Sequence, residues 1–213
     1  MIRHAAIALL LLAGAGCART PAGPPPGLSS TTTAAAQEPQ RVAVLPPWLG
    51  EGVGRSAGVG TGEALASAWR ELGLHEVVQV GSARRDDLVA YDPVGSNRIA
   101  TPELLRIRDQ LGVDAVVISR VEQYRGFDPV LIALTAHLVS TRDGSVLWSA
   151  TGVFDGRRAE VQADLQAWWA RSQGPAGRPL TEWRQALQSP SLFARYAGWR
   201  MAATVPPPPP PAR

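Results

Sequence analysis

Lysine is absent from this chain: all 21 basic residues are arginines. A Walker-type phosphate loop needs Gly-Lys-Ser/Thr, so that class of nucleotide binding is excluded outright. Cysteine occurs once, at Cys17, which rules out an internal disulfide and leaves the core to hold by packing alone. Histidine occurs three times, as His4, His75 and His137, too few and too scattered to form a metal-ligand pattern with one cysteine. No apolar run is long enough to cross a bilayer. The longest, Ala5–Ala13, falls well short of the roughly 20 residues a spanning helix needs. Charge of either sign is sparse and interspersed, with a formal net of +3. Scattered arginines are not the footprint of a phosphate-backbone binder, so nucleic acid is not an expected partner.

What is present at the amino terminus explains the lone thiol. Arg3 and His4 form a basic head, Ala5–Ala13 an apolar centre, and small residues lead to Cys17. That order is an export signal covering residues 1–16. Ala13-Gly14-Ala15 fits a soluble-release site that would leave Gly16 first, giving a soluble periplasmic protein. Ala15-Gly16-Cys17 fits the end of a lipoprotein box, although Gly14 stands where Leu is usual. We read Cys17 as the lipid-bearing residue, because a single thiol in an exported chain otherwise lacks a reason. Acyl chains at about 0.8 kcal/mol per buried CH₂ would hold such a protein stably on a membrane. Ala18 rather than Asp follows the cysteine, which by analogy with known lipoproteins implies the outer membrane, facing the periplasm.

Residues 17–40 hold almost no large apolar side chains and read as a lipidated cysteine plus a disordered Pro/Ser/Thr/Ala tether. Residues 205–213 carry a polyproline tail. The stretch between, 41–204, is one domain's worth of chain.

In that domain the apolar period changes repeatedly. Strands are expected over Arg41–Leu45, Glu76–Val80, Ala115–Tyr124, Val130–Ser140 and Ser145–Phe154. Helices are expected over Thr61–Leu72, Thr101–Leu111, Ala159–Ser172 and from Pro190 onward, with Gly73 and Gly112 as stops and Ser189 as a cap. Asp143-Gly144 marks a hairpin. The order β-α-β-α-β-β-β-α-α predicts an α/β domain with an α+β tendency: a single mixed sheet of about five strands, helices packed on it, and a helical cap at the carboxy terminus.

With "RVAVLPPW" leading and "LGVDAVVISRVEQY" followed by "TRDGSVLWSATGVFD" at its centre, this order resembles a group of bacterial envelope lipoproteins. Their α/β module is related to the amino-terminal domain of the translocation protein TolB. The group includes the curli secretion-channel lipoprotein and lipoprotein activators of peptidoglycan synthases. The match is best to members that pair an "LGVDAVV" strand with a "TRDGSVLW" hairpin and end near "LQSPSLFARYA". The resemblance implies a non-catalytic binding or assembly module, with envelope proteins as partners and homo-oligomerisation as a family habit. It implies no cofactor. The long apolar hairpin of curli-type channels is not evident here.

Several motifs invite other readings. "GRSAG", Gly54–Gly58, matches the nucleophile elbow of serine hydrolases, with Ser56 as nucleophile and His137 plus Asp92 or Asp114 to complete a triad. That chemistry needs a strand running straight into the turn, whereas a Pro/Gly-rich stretch precedes Ser56. Gly52-Val53-Gly54 with Ala57 loosely echoes a dinucleotide fingerprint, but the expected helix starts too late. Asp86-Asp87 and Asp155 sit in turns and have no pattern supporting a glycosidase pair. A periplasmic small-molecule or glycan receptor is a third reading, and it predicts a pocket with converging polar groups. Seven tryptophans are the compositional surplus. Trp69 and Trp148 fall on core faces, while Trp48, Trp168, Trp169 and Trp183 are candidates for a protein contact surface, with packing as the commoner use of such residues.

Overall fold

The computed structural model describes residues 27–33, 39–96, 99–173 and 183–206. Cys17, the export signal and most of the polyproline tail lie outside the described residues. In chain order the elements are β1 (Leu28–Thr32), β2 (Arg41–Val44), β3 (Trp48–Leu49), α1 (Arg55–Leu72), β4 (Glu76–Gln79), α2 (Ser82–Leu88), α3 (Thr101–Leu111), β5 (Ala115–Arg125), β6 (Leu131–Ser140), β7 (Val146–Asp155), α4 (Ala159–Gln173), α5 (Trp183–Gln188) and α6 (Pro190–Ala202).

The strands form one open mixed sheet in the order β1-β7-β6-β5-β2-β4, with β3 also paired to β5. β2 lies parallel to both β4 and β5, and β5-β6-β7-β1 is an antiparallel run. The apolar "AVVI" start of β5 is central and buried on both faces, as a strand flanked by helices requires. One face carries a core of Val42, Val44, Val117, Leu134 and Leu138 under α1, α4, α5 and α6. The other carries a smaller core of Ala43, Val116, Ile118 and Val139 under α2 and α3. Gly73 and Gly112 end α1 and α3 in the left-handed conformation, where a Cβ would be penalised. Ser189 caps α6 by accepting the Leu192 N–H. α3 begins at Thr101 with Ala100 as its cap residue and no side-chain cap hydrogen bond.

Two segments depart from expectation. Leu28–Thr32 had the composition of a tether yet forms an edge strand, in register from Leu28↔Gly152 to Thr32↔Trp148. Pairing at an edge engages backbone groups alone, so four exposed Ser/Thr side chains suffice once Leu28 is buried. The sheet therefore takes in residues before Arg41, from Leu28 on. Helix α1 starts at Arg55 rather than Thr61, taking "RSAGVG" into its first turns. Glycine is a poor helix former, but here its lack of a side chain is needed. A Cβ on Gly58 would lie 2.7 Å from Leu49 Cδ2, and one on Gly62 would lie 2.8 Å from Pro47 Cδ.

Candidate functional site

The best-formed concavity is a cavity of about 350 Å³ on the α2/α3 side of the sheet. Its floor is Ile118 on β5 and His137 and Val139 on β6. Thr101 and Leu104 of α3 form one wall, and the Asp143-Gly144 turn and Pro93 form the rim. Strand alternation puts His137 here: Ile132, Leu134, Ala136 and Leu138 point into the larger core, so the residue between the last two points the other way. The imidazole Nδ1 is buried with no hydrogen-bond partner among the described residues. Burial pushes the His137 pKa below its ordinary value, so the ring is neutral at pH 7. Asp143 at the rim is held at about 2, chiefly by the Ser145 hydroxyl and backbone N–H that its carboxylate accepts at 2.7 and 3.1 Å. A floor of aliphatic side chains, one neutral imidazole and one carboxylate rim can orient a small polar ligand.

The depressed imidazole has a measurable consequence. A histidine whose folded pKa lies below its unfolded value contributes nothing above about pH 6.5. It costs stability as acidification protonates the unfolded chain first. The wild-type chain is thus expected to lose stability between pH 7 and pH 5, and His137→Gln to lose less over that interval. Urea denaturation at both pH values checks this.

The elbow motif is not assembled. Ser56 sits in the first turn of α1 and lines a shallow cavity of about 250 Å³ with Tyr124, Ser191 and Ala194, on the larger-core side. His137 faces the opposite side of the sheet. Asp92 pairs with Arg120 at 3.2 Å, and Asp114 accepts the backbone N–H groups of Gln40 and Arg41. Asp86 is bound by Arg85, and Asp155 by Arg125 at 3.1 Å, so neither is half of a free carboxylate pair. Among the described residues no cluster of three or more His, Cys, Asp or Glu is placed to hold a metal. No described helix is long and apolar enough to cross a membrane.

The tryptophans proposed as a contact surface are interior. Trp48, Trp168, Trp169 and Trp183 are 7, 3, 2 and 8 % exposed. Trp48 stands in the wall of an open cavity of about 610 Å³ between the starts of α1 and α2, with the Arg85 guanidinium 4.9 Å from its ring centroid. Trp168 meets Tyr196 edge-on at 5.8 Å and Trp169 at 6.3 Å. Two adjacent positions on α4 can both be buried because Val161, Leu165, Trp168 and Trp169 share one wide apolar stripe, while Ala163, Gln166, Ala167 and Ala170 are exposed on the other face. Trp69 and Trp148 pack against each other at 5.8 Å, and the Trp148 indole N–H donates to Thr204 Oγ1 at 3.0 Å.

No protein-family model matches the chain, and no curated protein does. Among solved structures it is similar to the PelC dodecamer from Paraburkholderia phytofirmans, at 20% identity over 64% of this chain and 86% of that one, with a TM-score of 0.45. It is also similar to lipoprotein GNA1162 from Neisseria meningitidis, at 18% identity over 65% and 98% with a TM-score of 0.44. The LpoB C-terminal domain from Salmonella enterica follows, at 15% identity over 56% and 86% with a TM-score of 0.36. These likenesses concern the course of the chain and assign no chemistry to the cavity.

Proposed function

We propose that this chain is a non-catalytic, lipid-anchored module of the bacterial envelope that works by binding other envelope components. The observation that carries the reading is the only cysteine, Cys17, standing directly after an export signal. The fold adds support of its own kind, because the elbow serine Ser56 and His137 are on opposite sides of the sheet. The anchor confines the domain near a membrane and raises its effective concentration for partners within reach. Mass spectrometry of the mature polypeptide is expected to find acylated Cys17 at its start. Cys17→Ser is expected to move most of the protein from the membrane fraction to the soluble one. An unmodified chain starting at Gly16 would falsify the anchor. Crosslinking of the membrane-attached protein in its own cell then identifies the partners.

A second reading is favoured by one specific feature, a neutral imidazole in the lining of the cavity, whose Nδ1 has no hydrogen-bond partner among the described residues. A receptor for a small neutral polar ligand, such as a sugar, would use that imidazole as its fixed hydrogen-bonding group. Such a ligand should raise the melting temperature of the wild type and leave His137→Phe unchanged.

A further inference from the structure

We propose that the end of the sheet where the anchor segment joins the domain rests on the lipid bilayer itself, with Phe127 entering the interface and Arg157 and Arg158 contacting phospholipid headgroups. The proposal rests on the anchor reading above and deepens it by fixing which way the domain faces.

The chain reaches the domain at a defined place. Leu28 pairs with Gly152, and the Gly27 carbonyl accepts the Val153 N–H at 2.9 Å. This is the end where β7 finishes and β6 begins, since Leu131 pairs with Asp155. Because β1 is part of the sheet, only ten residue steps separate Cys17 from Gly27. Ten steps span at most about 35 Å fully extended. A domain of this size is about 40 Å across. The end that carries Gly27 therefore stays within about 35 Å of the bilayer, less than the width of the domain, and is the end best placed to touch it.

That same end carries the most exposed large apolar side chain among the described residues. Phe127, 71 % exposed, sits at the tip of the β5–β6 connection. Arg157 and Arg158 are exposed on the adjoining β7–α4 turn. The two turns are tied together by the Gly156 N–H donating to the Val130 carbonyl at 2.9 Å. Arg158 Nη1 lies 3.9 Å from where a Cβ on Gly27 would be, which puts its guanidinium beside the incoming chain. Arg125 at this end is already committed, to Asp155 at 3.1 Å and to the Pro129 carbonyl at 3.0 Å. Asp128 and Glu160 are the exposed acids nearby, so the tip has little net charge. Its attraction to the bilayer is short-ranged: an aromatic ring at the headgroup level, and two guanidinium forks suited to phosphate oxygens. One ring would bind a vesicle only weakly from solution, but the anchor removes most of the cost of the encounter. The His137 cavity and the Asp143-Gly144 turn lie at the other end of β6 and β7, and so face away from the lipid.

The experiment uses the full mature chain, acylated at Cys17 and reconstituted in phosphatidylethanolamine/phosphatidylglycerol vesicles. With Cys17 blocked by lipid, Asp128→Cys or Val146→Cys supplies a single thiol for an environment-sensitive fluorophore, one at each end of the sheet. Interfacial spin-labelled lipid is expected to quench the Asp128→Cys label at least threefold more than the Val146→Cys label. Adding Phe127→Ser should remove most of that difference while leaving the melting temperature unchanged. Equal quenching at the two ends in acylated protein, or crosslinking of the tip to a second copy without quenching, overturns the orientation and leaves the anchor standing. An unmodified Cys17 in the mass spectrum overturns both.

Discussion

Replacing Asp164 by alanine is expected to lower the unfolding free energy by about 3–5 kcal/mol, the usual cost of removing one partner from a buried charge pair. Asp164 on α4 and Arg200 on α6 are 13 and 11 % exposed at their side chains and form an ion pair. The Tyr196 hydroxyl donates to the same carboxylate at 2.7 Å. Truncation therefore strands a guanidinium that stays charged at any working pH, even though burial lowers its pKa. It also strands a phenol whose pKa burial pushes up. For a chain of this size the loss corresponds to roughly 6–20 °C in melting temperature. Asp164→Asn keeps an acceptor for both donors and should lose less. Asp164→Ala with Arg200→Met should recover part of the loss, because the stranded charge is then gone. A double mutant no more stable than Asp164→Ala would show that packing of the arginine stem, not its charge, governs this contact.

The helix–helix contact around Asp164 could not be foreseen from residue patterns, because it joins positions 36 apart in sequence. Local signals carried further. Strands β2, β4, β5, β6 and β7 follow from changes in apolar period, and the helix stops follow from Gly73 and Gly112, since each of these is decided by neighbours within one turn or one pleat. Where sequence reading fell short, tertiary contacts overrode local preference. Ser29–Thr32 has no apolar alternation, and it became a strand only because β7 offers a free edge. Gly58 and Gly62 argue against helix by propensity, yet α1 needs them to pass Leu49 and Pro47.

The cavity was legible in part. Along β6 the side chains alternate large with small or polar: Ile132, Leu134 and Leu138 on one face, Ala133, Thr135 and His137 on the other. That alternation signals a face only partly covered by helix, where a histidine can border a cavity. The apolar run as a whole concealed it. With Leu28–Thr32 in the sheet, the chain between Cys17 and the first strand is less than half as long as the chain between Cys17 and Arg41.

Trp169→Ala is expected to cost about 3–5 kcal/mol, as large-to-small changes at buried aromatics do. The alternative use of this indole, as a hot spot on a contact surface, predicts unchanged melting with loss of association. At 2 % exposure, packed in the larger core with Trp168, Leu165 and Tyr196, the ring has no face left for a partner. Its Nε1 is buried without a hydrogen-bond partner among the described residues. That detail sharpens the test, because Trp169→Phe removes an unsatisfied donor as well as volume. Losing a buried, unpaired N–H is favourable, so the phenylalanine variant should fall well short of the alanine loss. Trp148→Phe should behave differently, since it breaks the donation to Thr204 and leaves that hydroxyl to the Met201 carbonyl alone. Denaturant melts of the three variants separate volume from hydrogen bonding. Equal losses for Trp169→Ala and Trp169→Phe would mean that the indole's polar atom, not its bulk, holds α4 in place.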